Sequence, residues 1–264
     1  MTVQKDRCVW ITGGSMGLGR ALALRCAREG WRVVASARSQ DALEGLVDEG
    51  SSLPGRIEAV PLDVTDHEAV AAAVKRIEDE IAPVGLAVLN AGTHRPMAAQ
   101  SFRAGDVDAL LRLNVLGVAN CLEALLPRMI DRGAGHLALV ASIAGYSGLP
   151  TAAGYGASKA ALINMAESLK PELDALGIKL QLVNPGFVKT PLTDKNDFPM
   201  PFLMPADAAA EAFFRGLQSD RFEIVFPRRL VYLLKLLRCL PYGPFFALTR
   251  RTLPKSSQGN PGKE

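Results

Sequence analysis

Seven short apolar runs alternate with longer segments of helical periodicity, and this alternation restricts the possible folds more than any other feature of the 264-residue chain. The longer segments, such as LGRALALRCAREG, repeat apolar residues at the spacing of an amphipathic helix. Strands that alternate with helices build βαβ units, whose parallel sheet is covered on both faces. The order therefore predicts a doubly wound α/β fold with a seven-stranded, mostly parallel sheet. We expect its strands at 8–12, 32–37, 57–64, 86–92, 136–142, 179–186 and 222–226.

The first predicted strand runs directly into a glycine-rich turn, TGGSMGLG at residues 12–19, which opens a helical segment. Glycine allows the backbone to turn tightly and to approach a pyrophosphate, while the following helix directs its N–H groups and positive dipole end at the anion. Alone, such a turn could be purely structural. Its position between a strand and a helix favours a dinucleotide-binding turn in a Rossmann fold.

Three polar residues in the second half of the chain, Ser142, Tyr155 and Lys159, form a candidate reactive set. Tyr155 and Lys159 stand four apart in a helical pattern, so both side chains leave one face of one helix. A positive charge within about 4–6 Å lowers the pKa of a phenol from about 10, and we expect Lys159 to act on Tyr155 in this way. Ser142 ends an apolar run, at the sheet edge where ligands bind in open α/β folds. Singly, these residues could be ordinary surface or loop residues, but behind the glycine turn they predict a proton-transfer site.

The end of the second predicted strand indicates which dinucleotide is bound. An acidic residue about 20 residues beyond the glycine turn holds the ribose of NAD, but this strand ends in Ser36, Ala37 and Arg38. A guanidinium at that place suits a 2′-phosphate, although Arg38 could also be a solvated strand-end arginine. The sequence therefore predicts a preference for NADP(H), with NAD(H) as the alternative cofactor.

Taken in this order, the motifs resemble those of the short-chain dehydrogenase/reductase family, in its single-domain branch, over roughly residues 7–226. TGGSMGLG is similar to the family's TGxxxGxG turn, PGFVKT at 185–190 is similar to PGxxxT, and LNAG at 89–92 resembles NNAG except at Leu89. The resemblance implies a cofactor site made by Gly13, Ser15, Met16, Gly17, Leu18, Gly19, Arg38, Asp63, Val64, Asn90, Ala91, Gly92, Tyr155, Lys159, Pro185, Gly186, Val188 and Thr190.

The resemblance also implies a catalytic tetrad of Asn114, Ser142, Tyr155 and Lys159. In that scheme Tyr155 exchanges a proton with the substrate oxygen, and Ser142 donates a hydrogen bond to the same oxygen. Lys159 lowers the tyrosine pKa and binds the nicotinamide ribose, and Asn114 holds a water in a proton relay. The implied reaction is hydride transfer between nicotinamide C4 and a carbonyl carbon, which interconverts a carbonyl and a secondary alcohol.

Two observations qualify these expectations. Many relatives that prefer NADP have a basic residue inside the glycine turn, whereas Ser15 and Met16 stand there in this chain, so the cofactor prediction depends mainly on Arg38. A catalytically silent cofactor sensor or scaffold of the same fold is the alternative function. Such a protein would have little need for the complete tetrad.

Composition and spacing exclude several other classes of protein. Hydrophobic residues make up 48% and charged residues 22%, as in ordinary globular proteins. The four cysteines have no CxxC spacing and the first residues lack an export signal, so we expect reduced thiols and a cytoplasmic protein. The histidines show no metal-ligand spacing, which predicts no metal site, and His94 is interpreted as an ordinary loop residue. The absence of a nucleic-acid reading motif predicts no nucleic-acid partner.

The modest net charge of +3 conceals a polarised distribution. Residues 228–264 contain eight Lys or Arg and one acid, whereas the remaining 227 residues carry a net charge of −4. On a helix Arg228, Lys235 and Arg238 would fall within an arc of about 80°, among leucines. We expect a Rossmann-fold catalytic domain at 1–227 and a basic apolar extension at 228–264, its last ten or so residues disordered.

This extension leaves two roles open. Its pattern resembles a segment that lies on an anionic membrane surface through residues 228–251, which would make the protein peripheral to the cytoplasmic membrane face. The other role is packing, either as a cap on the substrate cleft or against another subunit. A homodimer or homotetramer is expected from the resemblance.

A mobile apolar lid is predicted over the cleft by the segment TPLTDKNDFPMPFLMP at 190–205. Together with the extension it favours a lipophilic ketone or alcohol as substrate, although core packing would explain the same residues. The residues expected to form the lid are Phe198, Met200, Phe202, Leu203 and Met204.

Overall fold

The computed structural model describes residues 8–195 and 200–253. They form a seven-stranded sheet with the order β3-β2-β1-β4-β5-β6-β7, in which every neighbouring pair is parallel. This confirms the predicted doubly wound α/β fold. The strands are β1 (Cys8–Thr12), β2 (Arg32–Ser36), β3 (Arg56–Ala59), β4 (Leu86–Leu89), β5 (Gly135–Val140), β6 (Ile178–Pro185) and β7 (Glu223–Phe226).

Helices connect the strands and cover both faces of the sheet. A π-helical segment, Ile77–Ile81, extends the third helix, and another, Arg112–Leu116, joins the fourth to the fifth. The α-helices are α1 (Gly17–Arg28), α2 (Gln40–Gly50), α3 (His67–Arg76), α4 (Ala104–Leu111), α5 (Gly117–Arg132), α6 (Ala153–Ala175), α7 (Ala206–Leu217), α8 (Arg228–Arg238) and α9 (Tyr242–Thr249).

The alternation of side chains along β1 shows how the two cores arise. Val9 and Ile11 belong to the cluster that also contains residues of α1, α2 and α7, whereas Cys8 and Trp10 belong to the cluster on the other face, with residues of α3, α5 and α6. All four side chains are at most 2% exposed. Consecutive strand residues point to opposite faces, so a strand covered on both sides must be apolar throughout.

The third strand is shorter than the sequence pattern predicted. It ends at Ala59, although the apolar run continues to residue 64. Pro61 lacks an N–H, and the backbone beyond Ala59 continues irregularly, with the N–H groups of Val60 and Leu62 donating to carbonyls at and just beyond the end of β2. This irregular continuation brings Asp63 to the carboxyl edge of the sheet.

One described helical stretch, Ala104–Arg132, is long and apolar enough to cross a membrane by length and composition, since an 18-residue window within it has a mean hydropathy of 1.5. It comprises α4, a π-helical segment and α5. Val118, Leu122, Leu125 and Met129 lie on its inner face and are buried in the core beneath the sheet. This packing accounts for part of its apolar composition, since 39% of that window is buried.

The strand order fixes where ligands can bind. The chain builds β1, β2 and β3 outward in one direction, then returns to place β4 on the other side of β1. The helices after β1 and β4 therefore diverge and leave a crevice at the carboxyl ends of these strands, which is where ligands bind in open α/β sheets.

Candidate active site

A cavity of about 690 Å³ lies along the carboxyl edge of the sheet. The residues that line it come from the ends of successive strands, so the sheet itself sets their order across the site. Every residue assigned to the site from sequence lines this cavity except Asn114.

The glycine turn is built to bring backbone close to a ligand. Gly13 and Gly17 adopt left-handed backbone, with φ of 68° and 56°. At Gly19 a Cβ would lie 2.2 Å from the Gly13 carbonyl oxygen, so no larger side chain fits without displacing the turn. The side-chain amide of Asn90 donates to the carbonyls of Thr12 and Gly13, at 3.0 and 3.2 Å, and ties the turn to the end of β4.

Arg38 and Asp63 lie at the side of the cavity formed by β2 and β3. The Arg38 side chain is exposed and makes no ion pair in the part of the chain that the structure describes. Burial raises the pKa of Asp63, but hydrogen bonds from the Thr65 N–H and hydroxyl, with the charge of Arg38, hold it below its ordinary value. The Asp63 carboxylate is therefore held as an acceptor beside a free guanidinium.

Ser142, Tyr155 and Lys159 converge on the cavity from two elements. Ser142 stands two residues beyond β5 and caps a short 3₁₀ turn, its Oγ accepting from the Ala144 N–H at 3.2 Å. Tyr155 and Lys159 lie in the first turns of α6, and Lys159 Nζ is 5.8 Å from the centroid of the Tyr155 ring. The structure thus places the phenol, the ammonium and the hydroxyl at one site.

Burial controls the protonation of both ionisable groups. It lowers the pKa of Lys159 to about 8. It raises the pKa of Tyr155, against the opposing effect of a hydrogen bond with Ser142. Desolvation of the phenolate is thus the largest influence on the pKa of Tyr155, and the expected effect of Lys159 on that pKa stays a prediction.

Asn114 lies just behind the cavity, fully buried in the π-helical segment between α4 and α5. Its Oδ1 accepts from the Thr93 N–H at 2.8 Å, and its Nδ2 donates to the Thr93 carbonyl at 3.0 Å and to Ser158 Oγ at 2.9 Å. The side chain thus clamps the loop after β4 against α6. The predicted water-holding role of Asn114 stays a prediction.

The loop after β6 closes the cavity from the opposite side. Thr193 Oγ1 donates to the Val188 carbonyl and accepts from the Thr190 N–H, at 2.8 and 3.0 Å. A Cβ at Gly17 would meet Thr190 Cγ2 at 3.1 Å, so this loop contacts the glycine turn directly. The two motifs, distant in sequence, form one continuous wall.

Comparison with known proteins decides what this site belongs to. A sequence model of the short chain dehydrogenase family matches residues 7–199. Similar proteins include an uncharacterized oxidoreductase of Myxococcus xanthus, 39% identical over 251 residues that cover 95% of this chain and 99% of the relative. The chain belongs to the short-chain dehydrogenase/reductase family. It is an oxidoreductase that acts on CH–OH and C=O groups with NAD(P).

Other members extend the comparison. The 3-oxoacyl-(acyl-carrier-protein) reductase FabG of Thermotoga maritima is 35% identical over 185 residues, covering 70% of this chain and 75% of FabG. A solved short-chain dehydrogenase from Streptomyces avermitilis is 26% identical, with a TM-score of 0.77 over 93% of this chain and 95% of its own. A short-chain dehydrogenase from Sphingobium yanoikuyae, solved in complex with NADPH, shares the fold over 98% of both chains, with 24% identity and a TM-score of 0.76.

The residues of this short-chain dehydrogenase/reductase fit a nicotinamide dinucleotide. The glycine turn leaves a cradle that a Cβ at Gly19 would disrupt, and the N-terminus of α1 begins within it. A Cβ at Gly92 would lie 3.4 Å from Lys159 Nζ, so glycine there keeps the approach to the ammonium open. A helix N-terminus favours contact with phosphates, and an ammonium favours hydrogen bonds to ribose hydroxyls.

Sequence reasoning missed His94 as a site residue. Its ring packs edge-on against Tyr155, with centroids 4.6 Å apart, and the side chain is buried in the cavity wall. The loop at 149–152 also lines the cavity, and within it Thr151 adopts left-handed backbone with φ of 61°. His94 follows the NAG motif by two residues, so its proximity to the site was detectable, but its contact with Tyr155 depends on how α6 packs.

The wall on the far side of Tyr155 comes from the C-terminal extension. Leu230 and Leu234 of α8 and Thr252 beyond α9 line the cavity. Of the predicted lid segment at 190–205, the described residues that line the cavity are Thr190, Pro191, Leu192, Thr193 and Pro201, whereas Met200, Phe202, Leu203 and Met204 do not. Phe198 and the expected disordered terminus lie outside the described residues. Among the described residues, both α8 and the predicted lid segment therefore contribute apolar side chains to the cavity wall.

Proposed function

We propose that this enzyme is an NADP(H)-dependent oxidoreductase that interconverts a lipophilic ketone and the corresponding secondary alcohol. The observation that carries the proposal is one continuous cavity, with Arg38 at the end of β2, Tyr155 and Lys159 on α6, and an apolar wall from α8. Cofactor choice, proton transfer and substrate binding each have a distinct part of that cavity.

The protein's own groups account for the proton chemistry. In the reducing direction Tyr155 donates its phenolic proton to the substrate oxygen, while Ser142 donates a hydrogen bond to the same oxygen. The dinucleotide, when bound, supplies a hydride to the carbonyl carbon, so that one C–H and one O–H bond form as the C=O π bond opens. Because burial raises the pKa of Tyr155, the phenol stays protonated at neutral pH and suits the role of acid. The reverse reaction requires the phenolate and gains from rising pH.

Preference for NADP(H) follows from the unpaired guanidinium of Arg38. A planar guanidinium fork binds a phosphate through two parallel hydrogen bonds, and no acidic residue at the end of β2 competes for it. Arg38→Ala should lower kcat/KM with NADPH by tenfold to a hundredfold, since a hydrogen bond to a charged group contributes about 1.5–3 kcal/mol. Activity with NADH should change little.

Arg28→Ala is the matched control, because this exposed arginine ends α1 far from the glycine turn and makes no ion pair within the described residues. Comparable or better efficiency with NADH in the unmodified enzyme would contradict the cofactor proposal. The readout is absorbance at the nicotinamide band with each cofactor.

The apolar wall supports a lipophilic substrate. Leu149 and Pro150 face the same cavity as Leu230 and Leu234. FabG of Thermotoga maritima is by its name a reductase of 3-oxoacyl chains, which agrees with such a pocket. A panel of ketones of rising chain length and ring number, assayed with both cofactors, tests this. Higher kcat/KM on small polar carbonyls than on long-chain or polycyclic ones would defeat it.

A catalytically silent sensor is the weaker candidate. Such a protein has no use for a half-buried phenol packed beside a buried lysine and a strand-end hydroxyl. Tyr155→Phe removes only the hydroxyl, so NADPH binding should persist while turnover is lost. Equal turnover in Tyr155→Phe and the unmodified enzyme would remove tyrosine from the mechanism.

A further inference from the structure

The C-terminal helices expose large apolar side chains on their outer surface. The faces are segregated, since Leu230 and Val231 of α8 are buried in the core while Tyr232 and Leu236, one turn apart, face outward. In α9 Phe245 is buried, whereas its neighbour Phe246 is exposed. We call the exposed set the tail face; its apolar members and exposed fractions are Tyr232 62%, Leu233 58%, Leu236 66%, Tyr242 78%, Phe246 55% and Leu248 42%.

The charge of this region has one sign. Between Arg228 and Leu253 the sequence contains six Lys or Arg and no acid. The charge of Lys235 is balanced by an ion pair with Glu223 of β7. The five arginines make no ion pair within the described residues, and all five are exposed; they are Arg228, Arg229, Arg238, Arg250 and Arg251.

The basic residues of α8 do not all have the same surroundings. Of the predicted cationic arc, Arg228 and Arg238 are exposed, whereas Lys235 is partly exposed and pairs with Glu223. Arg229, with Tyr232 and Leu236, also faces outward, so arginine and large apolar side chains are interleaved on the tail face.

A second copy of the chain does not complement such a surface. Two copies related by a two-fold axis present the same patch to each other, so the arginines of one would face those of its partner. Like charges at close range repel, and no acidic residue of the tail face offsets them.

We propose that the tail face docks on an anionic lipid surface. Apolar side chains enter the boundary between headgroups and acyl chains, and the arginines pair with lipid phosphates. At 11 and 8 residues α8 and α9 are too short to span a bilayer, for which about 20 residues are needed, so they lie on it.

The docked surface is one helix away from the cavity. Leu230 and Leu234 line the cavity from the inner side of the helix that presents Tyr232 and Leu236 outward. A lipid surface at the tail face would therefore stand about 10 Å, one helix diameter, from the substrate wall. The docking itself does not depend on the reaction proposed above.

Vesicle flotation of the full chain tests the proposal. The protein should float with vesicles of phosphatidylcholine and phosphatidylglycerol, not with phosphatidylcholine alone, and added salt should weaken the binding. Leu236→Ser, and separately Arg228→Gln combined with Arg229→Gln, should each lower the bound fraction at least tenfold. Circular dichroism verifies that these surface variants stay folded.

Matched changes elsewhere on the surface should leave flotation intact. Phe102→Ser replaces an equally exposed apolar side chain outside the tail face, and Arg28→Gln with Arg103→Gln removes the same charge. Tyr155→Phe should also float normally, which separates failure of docking from failure of the reaction.

Three results would overturn the proposal. The first is the absence of binding to either vesicle, and the second is equal binding to neutral and anionic vesicles. The third is a fall in solution mass on Leu236→Ser, measured by light scattering, since that would show that a second copy covers the tail face.

Discussion

Lys159 Nζ donates a 2.8 Å hydrogen bond to the carbonyl oxygen of Val140, at the end of the strand that leads to Ser142. The lysine is only 4% exposed. Its ammonium is therefore held against β5 rather than in solvent, and burial lowers its pKa to about 8. The contact holds the ammonium beside the strand end, and the burial around it makes its charge dependent on pH near neutrality.

The depressed pKa of Lys159 predicts a stability that rises with pH. Between pH 8 and the unfolded value of 10.5, the unfolded chain binds more protons than the folded one, so the free energy of unfolding increases. Below pH 8 the cost of burying the charged form is fully present. Relative to Lys159→Met, the unmodified enzyme should gain about 1 kcal/mol between pH 7 and pH 9 in urea unfolding.

Subtracting the unfolding free energy of Lys159→Met from that of the unmodified enzyme cancels the contributions of other groups that titrate at alkaline pH. Burial raises the pKa of Cys8 to about 11 and those of Cys26 and Cys121 to about 12, and these thiols are common to both chains. A difference that stays constant with pH would mean that Lys159 is not desolvated.

Gly19→Ala should damage both the fold and dinucleotide binding. The new Cβ would lie 2.2 Å from the Gly13 oxygen and 2.6 Å from Asn90 Nδ2, so the turn must move. We expect a loss of about 1–3 kcal/mol in urea unfolding and weaker binding of NADPH in a fluorescence titration. Gly45→Ala is the control: its Cβ meets nothing within 4 Å on the exposed face of α2, so it should stabilise by about 1 kcal/mol.

Leu234→Ala should change substrate preference more than cofactor use. Shortening this half-buried wall residue removes apolar contact, so kcat/KM for long-chain ketones should fall about tenfold while that for short ones holds. Leu176→Ala, at the exposed end of α6, should leave both unchanged. An equal loss of kcat/KM on all substrates would show that Leu234 stabilises the fold rather than contacting the substrate chain.

Glu223→Gln should loosen α8 from the sheet. Its carboxylate accepts from Tyr146 Oη at 2.6 Å and from Asn184 Nδ2 at 2.8 Å, and it also pairs with Lys235 of α8. Losing these charge-assisted bonds should cost about 1–2 kcal/mol of unfolding free energy, since Lys235 is partly exposed and its ion pair is screened.

The pH dependence of that loss has a defined sign. Burial raises the pKa of Glu223, but the bonds from Lys235, Tyr146 and Asn184 prevail and hold it below its ordinary value. The extra unfolding free energy of the unmodified enzyme over Glu223→Gln is therefore fully present above about pH 4.3, and it shrinks as the pH falls below that value. Limited proteolysis of the C-terminal helices at neutral and acid pH measures this difference in stability. Equal cleavage of the unmodified enzyme and Glu223→Gln at neutral pH would show that the bonds to Glu223 do not hold α8 on the sheet.

Local patterns were enough to predict most of the fold. The apolar runs gave all seven strands because a strand covered on both faces must be apolar, and the glycine turn gave the first βα crossing. The predicted ends of β3 and β4 were wrong, since these strands end at Ala59 and Leu89 rather than at residues 64 and 92; in β3 the apolar run continues past Pro61 although the regular ladder does not. The family resemblance then identified the cavity-lining residues, whose order along the chain follows the order of the strand ends.

The sequence alone determined the doubly wound sheet, the dinucleotide turn and the residue types of the reactive set, because periodicity and spacing are local properties of the chain. Only the tertiary structure decided the burial of Lys159, the contact of His94 with Tyr155 and the inward face of α8. Each of these depends on desolvation or packing between segments far apart in sequence. Lys235 is one example: its helical position suggested a surface charge, and Glu223, twelve residues earlier on β7, pairs with it although the lysine side chain stays partly exposed.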